Sequence, residues 1–305
     1  MPLKRARLAV HRTQSVARRH ARNVPPHRRR SCTARRAAQA LAAASAALAA
    51  CAAHAADRPL WELGLGIGGL RLPHYRGADQ SRTLVLPVPY VVYRGEVFKA
   101  DRDGARAVLL QTDRVDFDLS LAASPPTYSR DNDARAGMED LKPTVEIGPN
   151  LNYTLARGAG WKVDLRAPLR AAITVESHPR SIGWVAAPNV NLDLALPGDW
   201  KLGLLAGPQY ASRRFNGYYY DVPASQATAA RPAYESRGGA AGGRVLLALS
   251  RRHAGGFAGL FVRYDTVRGA VFEDSPLIRR QNNLSFGFAF SWVLATSGRW
   301  VAVDE

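Results

Sequence analysis

The sequence predicts an all-β chain, an antiparallel transmembrane β-barrel of about 12 strands behind a cleaved signal peptide. Three observations predict it. Apolar and polar residues alternate over segments long enough to cross a membrane as strands, and the connections between those segments divide into short turns on one side and long loops on the other. Third, no stretch after Trp61 approaches the ~20 consecutive apolar residues of a transmembrane helix.

The N-terminal segment sets the compartment. The chain has 305 residues and a formal net charge of +17, but residues 1–56 hold twelve of its 42 Lys+Arg and no acidic residue, which leaves 30 basic against 25 acidic beyond them. The basicity therefore belongs to a leader and gives no reason to expect a nucleic-acid partner. Cys32 and Cys51 are both in this segment, so the remainder has no thiol for a disulfide, a Cys-ligated metal or a nucleophile. Arg35-Arg36, the apolar run 37–50 and Ala53-His54-Ala55 follow the n-region, h-region and A-x-A order of a secretory signal peptide. The expected cut precedes Ala56, which makes residues 1–55 the signal peptide and 56–305 the barrel. The n-region is long, and a start nearer Ser31 would give it ordinary length. Leu48-Ala49-Ala50-Cys51 also matches a lipobox and Arg35-Arg36 a twin-arginine signal. Cleavage before Ala56 is preferred because an Ala-rich run produces the first match easily and no large apolar residue follows the arginine pair. Each version exports the protein from a bacterial cytoplasm.

The expected strands follow in order. The first, 60–72, is glycine-rich; 83–93, 95–100 and 104–111 come next, and 114–123 alternates clearly. Strand 143–156 sets Val145, Ile147, Leu151 and Tyr153 against Glu146, Asn150 and Asn152. In 160–176 every odd position from Trp161 to Val175 is apolar, while Lys162, Asp164, Arg166 and Arg170 occupy even ones. Strands 183–196, 200–212, 237–251, 256–268 and 282–294 complete the set, the last with Leu284, Phe286, Phe288, Phe290 and Trp292 on one face. Short turns fall at Arg94-Gly95, Thr112-Asp113, 157–159, Pro197-Gly198-Asp199 and 252–255; the long loops are 73–82, 124–142, 213–236 and 269–281. Short turns of such barrels face the periplasm. Trp161, Trp200, Phe257 and Trp292 form an expected aromatic girdle on the turn side, with Trp184 and Tyr210 near the loop side. A soluble β-sandwich shares the alternation but needs no aromatics at both ends.

At this point the sequence resembles the MipA/OmpV family, whose founding name means MltA-interacting protein, over about residues 60–294. The resemblance rests on Pro73-His74-Tyr75-Arg76-Gly77-Ala78, on Leu86-Pro87-Val88-Pro89-Tyr90 running into Tyr93-Arg94-Gly95-Glu96, on Tyr218-Tyr219-Tyr220-Asp221-Val222 and on Asp274-Ser275-Pro276-Leu277. Asp221 stands where the family usually has glycine, and the chain continues to Val303-Asp304-Glu305 beyond the usual terminal aromatic. The resemblance implies a barrel in the bacterial outer membrane, surrounded by outer-membrane lipid. For the family's best-known member it implies a scaffold that links a lytic transglycosylase to a penicillin-binding synthase. Fold carries over more readily than that role.

The residues themselves offer no catalytic constellation. His74, His178 and His253 fall in or near separate connections, and neither G-x-S-x-G, H-E-x-x-H nor a phosphate-cradling glycine loop occurs. The expectation is a protein that is not an enzyme and takes no cofactor or metal. The inward face is more informative: its expected charges are Lys162, Arg166, Arg170, Lys201, Arg244 and Arg263 against Asp116, Asp118, Glu146, Asp164, Asp193 and Asp265. Such a balance suits a lumen filled by ion pairs and equally a narrow pore. Pro149, Pro168, Pro188 and Pro208 recur at similar height in consecutive strands, either as unrelated bulges or as a belt of weakened pairing. Tyr218-Tyr219-Tyr220, on the 213–236 loop, either folds inward as a plug, the favoured reading, or stands outward as a contact site. Three function classes follow: a scaffold that docks murein enzymes, preferred; a narrow porin or solute channel; and a barrel enzyme or adhesin acting through the loops.

Overall fold

The computed structural model describes residues 56–94, 98–101, 104–253 and 255–303. The expected signal peptide, its cleavage and the Cys51 alternative lie outside them. A short ribbon pairs the two ends of the described chain, β1 (Ala56–Pro59) against β15 (Trp300–Val303), with Ala56 opposite Val303 and Pro59 opposite Trp300.

The barrel lies between. Its strands are β2 (Trp61–Pro73), β3 (Ser81–Arg94), β4 (Phe98–Asp101), β5 (Gly104–Gln111), β6 (Val115–Ser124), β7 (Thr144–Gly158) and β8 (Trp161–Thr174). They continue as β9 (Ser181–Ala186), β10 (Asn189–Leu196), β11 (Trp200–Ala211), β12 (Gly239–His253), β13 (Gly256–Thr266) and β14 (Asn282–Thr296). Each is antiparallel to its neighbours in chain order, and β14 pairs with β2 from Phe286↔Arg71 to Thr296↔Glu62, which closes the wall and removes the free edges.

β9 and β10 are one crossing interrupted at Ala187-Pro188. Along β8 the pairing steps from Leu169↔Ala186 to Arg166↔Asn189, and along β11 from Tyr210↔Ala186 to Ala206↔Val190, so the register runs on unbroken through the gap. The wall therefore has the twelve crossings that alternation indicates, in a sheet of thirteen segments. The break has a local cause: Pro188 lacks a ladder donor. Its neighbours repeat the pattern. Pro149 lies opposite Leu119, Pro168 opposite Asn150, and Pro208 opposite Gly243 at the edge of a bulge in which Gly242 takes φ +86°. Four adjacent crossings thus carry a proline at one level.

Side chains sort by face. Leu63, Leu65 and Ile67, or Leu284, Phe286, Phe288 and Trp292, stand exposed on the outer, lipid-facing side, and Trp161, Trp184 and Tyr210 stand with them. Phe257 departs from the expected girdle. It follows the inward parity of β13, opposite buried Ser291, and its ring centroid lies 6.3 Å from that of Tyr90 in the lumen. Gly66 of β2 shows why the closing strand is glycine-rich: a Cβ there would sit 2.3 Å from the Phe290 carbonyl oxygen of β14.

The buried apolar cluster is not in the barrel shaft but under the long loops. Tyr75, Val222, Val267, Phe272 and Leu277 pack there with Met138, Leu141 and Tyr220. The loop after β11 contributes α1 (Arg213–Tyr220), whose N-cap Ser212 accepts a hydrogen bond from Phe215 N through its Oγ. Sequence alternation gave no sign of this helix or of the terminal ribbon.

Candidate functional site

The candidate site is the lumen with its loop-side cap. At the turn end, Glu62 is completely buried and carries two guanidiniums, Arg94 at 2.9 Å and Arg252 in direct contact. Arg252 reaches past β13 and β14 to make this pair, and also donates to Tyr90 Oη at 3.0 Å. A buried carboxylate needs such partners, because desolvation otherwise outweighs its charge interactions.

Higher in the shaft the ion pairs run along β7, β8 and β10. Asp164 takes Lys162 at 3.2 Å, Arg166 at 3.5 Å and the Thr154 hydroxyl at 3.0 Å; Arg166 also meets Asp193 at 3.4 Å. Arg170 donates to Glu146 at 3.0 Å and to Ser120 Oγ at 3.3 Å. Asp118 accepts from the amides of Asn150 and Asn152, at 3.0 and 2.9 Å. On the opposite wall Asp265 meets Arg263 at 2.8 Å and Arg244 at 2.9 Å. Between these walls lies a cavity of about 590 Å3, whose lining includes Asp116, Asp118, Lys162, Asp164, Arg166, Arg170, Arg244 and Arg263, together with Pro168, Pro188 and Pro208. Lys201 is half-buried, stands away from this cavity and makes no ion pair among the described residues.

At the loop end the long loops pack against one another. Tyr220 of α1 is 4% exposed, donates to the Arg76 carbonyl oxygen at 3.0 Å and has its own carbonyl bound by Ser275 Oγ at 2.8 Å. The Tyr219 hydroxyl lies 3.4 Å from Thr144 Oγ1, and Tyr218 donates to the Lys142 carbonyl at 3.2 Å. Tyr75 joins the same cluster and donates to the Leu277 carbonyl at 2.8 Å. Burial pushes the phenols of Tyr75 and Tyr219 up to about 12, and that of Tyr220 higher still. Arg135 and Arg231 tie the 125–143 and 212–238 loops together, Arg135 through the Tyr219 carbonyl at 3.1 Å and Arg231 through the carbonyls of Ala134 and Ala136 at 3.0 and 2.9 Å.

Reasoning from alternation could not reach Glu62, Arg94, Arg252 or Arg76, since the contacts that define them join positions up to 190 residues apart. The histidines are scattered, and among the described residues no group of three or more His, Cys, Asp or Glu is placed to hold a metal ion.

Closed antiparallel wall, lipid-facing aromatics and charged interior together define a twelve-crossing β-barrel of the bacterial outer membrane. Residues 65–294 match the family model described as MltA-interacting protein MipA, and the chain belongs to that family. No curated protein matches it. Among solved structures it is similar to the NanC porin, at 8% identity and TM-score 0.39, covering 76% of this chain and 100% of that one. It is also similar to an outer-membrane channel from Pseudomonas putida F1 (12%, TM-score 0.43, 76% and 96% covered). A third similarity is to the outer-membrane protein OprG from Pseudomonas aeruginosa (9%, TM-score 0.20, 78% and 98% covered).

Proposed function

We propose that this protein is a non-enzymatic barrel of the scaffold type, which holds a lytic transglycosylase and a penicillin-binding synthase together at the periplasmic face of the outer membrane. The observation that carries the reading is the cap: α1 sets buried Tyr220 over the lumen, backed by Phe272 and tied to three other loops. A lumen covered at one end and crossed by the Glu62–Arg252 pair at the other is a poor conduit, whereas the β1–β15 ribbon adds docking surface at the turn end, taken here as periplasmic. The family's name, MltA-interacting protein, supports a murein hydrolase as one partner. Purified barrel in planar bilayers should stay silent, and affinity capture from outer membranes should bring both enzyme classes with it. Steady conductance steps without either enzyme would overturn the scaffold reading. They would favour a narrow solute channel instead, the alternative that the 590 Å3 cavity, with charged residues in its lining, supports.

A further inference from the structure

The lumen's charge is furthest from balance at Asp265. Its side chain has no exposure, and three guanidiniums converge on it: Arg263 at 2.8 Å, Arg244 at 2.9 Å and Arg76 at 3.5 Å. Among the described residues no second carboxylate pairs with any of the three, and Glu146 on the far wall is engaged by Arg170 at 3.0 Å. One negative charge therefore faces three positive ones.

The three arginines are not equivalent. Arg76 spends its Nη2 on the carbonyl oxygens of Ala241 at 2.8 Å and Thr266 at 3.0 Å, and it does not line the cavity. Arg244 and Arg263 keep 27% and 28% of their side-chain surface and line the 590 Å3 cavity. Apart from Asp265, Arg263 has only a 3.4 Å contact with Ser285 Oγ, and Arg244 has no other hydrogen bond among the described residues. Each guanidinium carries five N–H donors, so most of them are unspent. Gln209, 4% exposed, lines the same cavity and makes no side-chain hydrogen bond among the described residues. The acids that line the cavity, Asp116, Asp118 and Asp164, belong to the opposite wall, and two of them are already held by Asn150, Asn152, Lys162 and Arg166.

We propose that Arg244, Arg263 and Gln209 form a lumenal binding site for an oxyanion, a carboxylate or phosphate group on a small solute. Two planar guanidinium forks and an amide donor line the same cavity, and such forks match two-oxygen acceptors far better than a halide. An oxyanion there neutralises the excess charge around Asp265 and fills donors that no protein acceptor among the described residues takes. The site is independent of the scaffold reading, since it requires neither a murein enzyme nor conduction.

The test uses the purified barrel in detergent. The temperature at which the folded band converts to the unfolded one on gels is read against increasing sodium phosphate, sodium acetate or sodium chloride at equal ionic strength. Phosphate, acetate or both should raise that temperature saturably above the chloride series, because a ligand that binds only the folded state stabilises it. A response to acetate alone assigns the site to carboxylates, and one to phosphate alone to phosphate groups. The R244Q/R263Q variant should need at least ~10-fold more anion for the same shift, and Lys201→Gln should respond as wild type. Arg244→Gln, which leaves two arginines on Asp265, should show a smaller loss if the double variant does not fold. Identical curves for all three salts, or an undiminished response in the arginine variants, would overturn the site.

Discussion

The ring of Tyr220 lies flat on that of Phe272, with centroids 3.8 Å apart and planes inclined by 10°. This contact is the keystone of the cap, because it joins the loop after β11 to the loop after β13 over the lumen. Replacing Tyr218, Tyr219 and Tyr220 together with Ser removes that contact and the hydroxyl bonds to Arg76 and Lys142. Deleting one buried aromatic costs about 3 kcal/mol or more. The cap should open while the barrel, held by its wall pairing, still inserts. Antibiotic permeability of intact cells should rise with the outer-membrane level unchanged; unchanged permeability, with iodination of the native tyrosines on whole cells, would show that they do not plug the mouth.

Alkali should loosen the same cap. The phenols of Tyr75 and Tyr219 are raised by burial from 10.0 to about 12. A group whose folded value lies above its unfolded one contributes stability fully present below the unfolded value and lost as pH rises through the folded one. The cap should therefore be at full strength below pH 10 and weaken between pH 10 and about 12. Tyrosinate absorbance of the purified barrel should show the cap tyrosines ionising above the ordinary tyrosine value. A single transition at the ordinary tyrosine value would contradict their burial.

Glu62→Ala should be more damaging than its single position suggests. It strands Arg94 and Arg252 without their carboxylate, and breaking a buried pair in this way costs roughly 3–5 kcal/mol. The folded band should convert at a clearly lower temperature, and Arg252→Ala introduced beside it should restore part of the loss. No recovery in the double variant would mean that the three groups are not coupled.

The closing seam tolerates no side chain at Gly66. Gly66→Val pushes a branched Cβ to 2.3 Å from the Phe290 carbonyl, so β14 cannot lie in register on β2. The variant should accumulate as unfolded periplasmic protein that lacks a heat-modifiable form. Normal assembly would mean that the seam relaxes by a register shift.

Leader processing is separately testable. We propose cleavage before Ala56, where β1 begins, so N-terminal sequencing of the mature protein should start at Ala56 and Cys51→Ser should leave export unchanged. Labelled fatty acid on the wild type but not on that variant would establish lipidation instead.

The wall was legible because period-2 alternation is a direct consequence of one lipid face and one lumenal face; 160–176 and 282–294 differ from the observed β8 and β14 only at their ends. The interruption at Ala187-Pro188 was not legible, since unbroken register lets the alternation run straight through it. Ser212 followed by Arg213-Arg214-Phe215 carried a helix-start signal for α1, but Gly217 and three tyrosines make a poor helix sequence that tertiary burial overrides. Pairs such as Arg166–Asp193 lie on strands whose parity is known, so their facing was accessible. The three-to-one cluster at Asp265 was not, because Arg76 comes from a loop and alternation does not apply there.

The ribbon of β1 and β15 has a topological consequence. With Ala56 directly opposite Val303 in an antiparallel ladder, the two ends of the described chain stand about one strand spacing apart, roughly 5 Å. Between Ala56 and Val303 the path around the wall therefore returns to within one strand spacing of where it began. The wall pairing alone does not mark any crossing as first or last, and a circular permutant of residues 56–303 that begins in another short turn would describe the same closed surface.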